Sequence, residues 1–125
     1  MLNFRLPKND REYYWTSHSK SKMLQYRISE QKIKSILNNP SRKESGVAPK
    51  TLAVMVRNDK PKRKEEIWIM FQVVKTQIPK LKFQSKRRVI ISVWRYPGVS
   101  KKREVPIPED ALAELDKLQN ELKIQ

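Results

Sequence analysis

The residues best suited to chemistry lie between Ile67 and Arg103, a span without a single acid. It carries ten cations, Lys75, Lys80, Lys82, Lys86, Arg87, Arg88, Arg95, Lys101, Lys102 and Arg103, with Phe83, Trp94 and Tyr96 set among them. Cations neutralise phosphates and aromatic faces stack on bases, so this mixture describes a platform for single-stranded RNA or DNA. Lys82, Lys86, Arg87, Trp94, Lys101, Lys102 and Arg103 are the candidate nucleic-acid-binding residues. A second constellation is His18 with Lys22, four apart and therefore on one face of a helix. A neutral imidazole beside a cation can transfer a proton and steady the charge on a phosphate. The plainer alternatives are a histidine hydrogen-bonded to backbone at a helix start and a Trp94 built into the core.

Other chemistry is excluded by what is missing. The chain has no cysteine and one histidine, so zinc fingers, thiolate redox centres, iron–sulfur clusters and disulfide scaffolds cannot be built. Two glycines, Gly46 and Gly98, are too few for a P-loop or a dinucleotide fingerprint. No pair of carboxylates flanks an evident cleft, against glycosidase-like or two-metal chemistry. Ser17 and Ser19 adjoin His18 and cannot easily point at it as a triad requires. No metal or cofactor is expected, and any catalysis must lean on cations.

Charge points the same way. Lys and Arg number 28 against 13 Asp and Glu, a net charge of +15 at a pI near 10.2. The division is uneven: residues 104–125 carry net −4 and the first 103 carry net +19. Such a surplus repels itself, and counterion release on a polyanion relieves it. The 125 residues make one domain, with 1–105 as its body and 106–125 as an acidic helix packed on it or extending from it. The N-terminal residues lack the pattern of a secretory leader, and no apolar run approaches the roughly 18 residues that cross a bilayer. A cytoplasmic protein with no membrane partner is expected.

The elements that must position these residues are legible in outline. Tyr13 to Thr16 reads as a short edge strand, and Ser17 to Tyr26 as a helix with Ser17 or Ser19 at its cap. Ser29 caps a second helix through Asn38, with Ile33, Ile36 and Leu37 on its buried stripe and Ile28 against Ile33 as a staple. Ser41 to Lys50 reads as a polar connector. Strands follow at Thr51–Arg57, Glu66–Lys75 and Arg88–Arg95, an antiparallel meander joined by charged loops. A last helix runs from beyond Pro108 to about Lys123, with Leu112, Leu115, Leu118 and Leu122 as its seam. The predicted fold is α+β: two N-terminal helices on a three- to four-stranded antiparallel sheet, plus a C-terminal helix.

The run from His18 to Ser29, H-S-K-S-K-M-L-Q-Y-R-I-S, resembles the histidine-bearing opening helix of the RelE/ParE-like toxin superfamily. Val89-Ile90-Ile91-Ser92-Val93-Trp94-Arg95 with Lys101-Lys102-Arg103-Glu104 is similar to the closing strand and Arg-Glu segment of its BrnT-type branch, with Trp94 where those toxins usually carry arginine. Together the matches span about residues 15–104. The resemblance implies a RelE-like fold, RNA as partner, a metal-independent endoribonuclease acting by electrostatic stabilisation, and an antitoxin protein as a second partner. His18, Lys22, Arg88, Arg95 and Tyr96 are then the candidate catalytic residues. Two other readings stand beside it: a non-catalytic nucleic-acid-binding or ribosome-associated module, and a protein-interaction role for the acidic helix.

Overall fold

The structure is a computed structural model describing residues 4–78 and 83–124. In chain order it has β1 (Tyr13–Trp15), α1 (Ser17–Tyr26), α2 (Glu30–Asn38), β2 (Arg42–Ala48), β3 (Thr51–Arg57), β4 (Glu65–Ile78), β5 (Phe83–Pro97) and α3 (Glu109–Ile124). The strands form one sheet in the order β1-β5-β4-β3-β2. All neighbours are antiparallel except β1, which runs parallel to β5 with Tyr13 opposite Arg88 and Trp15 opposite Ile90.

Both faces of the sheet are covered, because β3, β4 and β5 alternate two sets of apolar side chains across the pleat. Val54, Ile67, Ile69, Phe71, Ile90 and Val93 pack with Met23, Ile28, Ile33 and Ile36 from the α1–α2 segment. On the opposite face Ala53, Met55, Trp68, Met70, Ile91 and Trp94 pack under Ala111 and Leu115 of α3. Each such fully buried aliphatic side chain contributes about 1.5–3 kcal/mol by leaving water. A register shift at Met70/Phe71 leaves Ile91 unpaired, a bulge that lets Ile90 and Val93 both face α1 and α2. Thr16 steadies the bulge, its Oγ1 lying 3.1 Å from the carbonyl oxygens of Ile90 and Ile91.

The helix starts are set by side chains. Thr16, rather than Ser17 or Ser19, caps α1 by accepting from the Ser19 amide at 3.0 Å. Ser29 caps α2 through the Lys32 amide at 3.1 Å, with Ile28 and Ile33 both buried beside it. Arg27, at φ 55°, turns the chain between the two helices.

The α+β class stands, but its arrangement corrects the RelE-like expectation of two helices leading onto a three- to four-stranded antiparallel sheet. A strand precedes the helices, the sheet has five strands, and β1 makes it mixed. The polar segment expected as a connector, Ser41 to Lys50, instead supplies edge strand β2, because an edge needs backbone pairing with β3 more than apolar side chains. The loop expected after Lys75 is largely strand: β4 and β5 stay paired out to Ile78 and Phe83. In α3 the seam shifts to Ala111 and Leu115, leaving Leu112 46% exposed. Among the described residues no helix is long and apolar enough to cross a membrane.

Candidate nucleic-acid interface

The candidate catalytic residues are placed first by α1. His18 and Lys22 do share a face of this helix, and that face meets α3. The His18 Nε2 lies 3.0 Å from the Oγ of buried Ser92 on β5. Burial pushes the imidazole below its usual value of 6.5, against the opposing pull of Glu114 and Asp110. Lys22 forms an ion pair with Asp110 and donates to the Gln25 side chain at 2.7 Å. The Lys22 ammonium in turn holds the Asp110 carboxyl below the ordinary carboxylate range. The pair therefore clamps α3 to α1.

Arg95 lies on the other side of the sheet with its guanidinium engaged throughout. Its Nε donates to the Tyr26 carbonyl at 2.9 Å, one terminal nitrogen to Glu65 at 3.0 Å, and the other to the Arg27 carbonyl at 3.4 Å. It borders a cleft of about 1140 Å³ that also touches Leu24, Arg27, Lys32 and Ile67, and none of the other catalytic candidates lines it. Tyr96 is half-buried against the α3 side of the core. Trp94, expected to stack on a base, is 1% exposed and lies parallel to Trp68 at 6.2 Å between centroids. It is a core residue because the even positions of β4 and the α3 side of β5 form one apolar layer. His18, Lys22 and Tyr96 thus stand on the α3 side of the sheet, and Arg95 stands on the α1–α2 side.

Two groups of exposed cations lie at opposite ends of the sheet, and others, among them Arg5, Arg27 and Lys32 around the cleft and Lys43 on β2, lie elsewhere. At the first end, β4 and β5 outrun their neighbours: β3 begins opposite Gln72 and β1 reaches only Arg88. Beyond those points the hairpin continues as a two-stranded ribbon through Lys75↔Lys86 to Ile78↔Phe83, about 15 Å at 3.4 Å per residue. Lys75 and Lys86 are exposed and directly opposite, an arrangement that like charges disfavour. By the two-residue period they share a side with Arg88, whose guanidinium sits 5.9 Å from the Tyr13 ring centroid and donates to its hydroxyl at 3.2 Å. Arg87 projects to the opposite side, over the exposed Tyr14 ring at 5.1 Å. Its Nε has no hydrogen-bond partner among the described residues. Lys82 lies outside the described residues.

At the other end, the β3–β4 turn carries Lys60, Lys62, Arg63 and Lys64, and the segment after β5, tied to that turn at Gly98, carries Lys101, Lys102 and Arg103. All seven are exposed, and none forms an ion pair among the described residues. Beneath them is a buried polar framework. Glu66, fully buried, accepts from Ser100 through its hydroxyl at 2.6 Å and its amide at 3.0 Å, from the Trp68 indole at 2.9 Å and from Arg57 at 3.0 Å. Burial alone raises this carboxyl; the Ser100 and Trp68 hydrogen bonds and the Arg42 charge outweigh it and leave it below 4.5. Arg42 donates to Ser100, Lys101 and Glu104, with its guanidinium 4.9 Å from the Trp68 ring centroid and its Nε 2.9 Å from Glu44. The Gly98 amide donates to the Lys64 carbonyl at 2.8 Å, tying one loop to the other. Gly98 sits at φ 103°, which favours glycine.

The sequence-predicted binding residues are therefore split: Lys86 and Arg87 stand on the ribbon, Lys101, Lys102 and Arg103 on the far loops. Pro97 lies eleven positions along β5 from Lys86, about 35 Å of strand. Lys60, Lys62, Arg63 and Lys64 were missing from the sequence-based set because the acid-free span starts only after Glu66. Their signal was the density of cations between two strands. Glu66 and Arg42 carried no local signal at all, since their partners lie up to 62 residues away.

No family model, curated protein or solved structure matches the chain.

Proposed function

We propose that this protein is a nucleic-acid-binding module that grips RNA by its phosphates through the projecting β4–β5 ribbon, without cleaving it. The observation that carries this reading is the Lys75↔Lys86 pair: two exposed lysines held opposite each other on a ribbon that could have carried an acid at either position. Such a pairing lowers stability, and a phosphate between the two ammonium groups reverses the sign. Arg87 over Tyr14 adds a planar cation and an exposed ring on the second side of the ribbon, suited to a phosphate and a base in turn. A positive ribbon of this kind gives affinity that depends little on base sequence.

Titration of a labelled uridine homopolymer across a salt series tests the reading. Each phosphate contact to a single strand adds about 0.7 to the magnitude of the log–log slope. Lys75→Ala with Lys86→Ala should therefore flatten it by about 1.4 and weaken binding at every salt concentration. Unchanged affinity and slope in that variant would remove the ribbon from the interface. RNA recovered intact after prolonged incubation agrees with binding alone, whereas cleavage lost on His18→Ala would restore the ribonuclease reading.

A further inference from the structure

The loops at the end of the sheet opposite the ribbon form a surface that the ribbon reading leaves unused. Their cations are exposed and unpaired among the described residues, yet the backbone from Ser100 to Glu104 is tied down by buried and half-buried side chains. Glu66 anchors Ser100, Arg42 gathers the carbonyl oxygens of Ser100, Lys101 and Glu104, and Glu44 accepts from the Arg103 amide at 2.6 Å. Burying a carboxylate and a guanidinium to fix a surface loop is costly unless the loop's shape matters. A fixed loop reduces the entropy lost when its side chains close on a ligand. What it fixes here is a patch in which seven exposed cations outnumber two exposed carboxylates, Asp59, which is paired with Arg57, and Glu104.

From this we infer that the β3–β4 turn and the Lys101–Arg103 segment form a second phosphate-binding surface, so that one molecule links two separate segments of nucleic acid. This rests on the proposal that the ribbon holds the first segment. Two features favour two segments over one chain running the length of the sheet. The ends lie about 35 Å apart along β5. Between them, α3 lays Glu109, Asp110 and Asp116 over one face. A single phosphate chain crossing the α3 face would pass carboxylates, whereas two chains meet cations at each end.

The test is recruitment. The full-length protein is added to one uridine 20-mer fixed on beads, and a second, dye-labelled uridine 20-mer is offered in solution. The wild-type protein should carry the dye to the beads. Lys101→Glu with Lys102→Glu should abolish recruitment while the protein still binds the fixed strand through the ribbon with its salt slope unchanged. Lys101→Arg with Lys102→Arg should keep recruitment, which separates lost charge from a damaged loop. Recruitment at the wild-type level by the glutamate variant overturns the inference, and it also covers linking through self-association, because a dimer of ribbons would still recruit. Failure of the ribbon reading looks different: Lys75→Glu with Lys86→Glu would leave binding to the fixed strand unchanged.

Discussion

The two basic ends of this sheet are built in opposite ways. The ribbon is held by little beyond its own ladder and places lysine against lysine on one side. The far loops rest on buried Glu66, half-buried Arg42 and a web of bonds to Ser100, Lys101 and Glu104. One end accepts like-charge repulsion in a segment paired only as two strands. The other invests buried polar groups in a fixed shape. The difference teaches that cation density alone does not describe a binding surface; what holds the cations decides how they meet a phosphate.

The comparison can be broken most sharply at Glu66. Glu66→Ala leaves Ser100 and the Trp68 indole without their acceptor and takes one of two carboxylates from Arg57, which keeps Asp59, and should cost about 3–5 kcal/mol in urea unfolding. No single substitution on the ribbon beyond Arg88 should approach that figure. Next comes Gly98→Ala: open space surrounds the missing Cβ, so only the backbone at φ 103° resists. A loss of about 1–2 kcal/mol is expected, and a loss near zero would mean that the loop relaxes rather than holds.

A pH titration of stability sharpens the contrast in a third place, the His18–Ser92 contact that joins α1 to β5. A folded imidazole held below 6.5 is favoured neutral, so its contribution is complete above 6.5 and declines as the pH falls from there towards the folded value. His18→Gln should remove that decline and leave only the later loss, when Glu66 and Asp110 take up protons below their ordinary values of 4.5 and 3.8. An unchanged profile would show that His18 does not sense the packing of α3. The smallest effect belongs to the ribbon. Lys75→Glu turns a like pair into an opposite one and should raise stability by about 0.2–1 kcal/mol while weakening RNA binding. If the variant loses both stability and binding, the pair is not a site of stored repulsion.

Much of the fold was legible because its signals are local. Ser29 and Ile33 mark α2, and the β-branched run around Ile69 and the block around Ile91 mark central strands, since caps and periodicity act over a few residues. Edge strand β2 was not legible: its residues Arg42 to Ala48 are polar, and only β3 beside them makes a strand of them. Trp94 shows the same limit at the candidate site. Its place in a cationic span pointed to base stacking, whereas the pleat of β5 turns it onto Trp68. Arg95 likewise sits among cations in sequence but faces carbonyl oxygens and Glu65 in space.

From composition alone came the strength and sign of the protein's field, because net charge is a sum that folding does not alter. Where that field emerges belongs to the tertiary structure. Pairing β4 with β5 beyond their neighbours pushes Lys75, Lys86 and Arg87 to one end, and the Glu66–Arg42 framework gathers the loop cations at the other. The reason is physical: charge adds along the chain, whereas its neighbours are chosen by contacts between residues tens of positions apart.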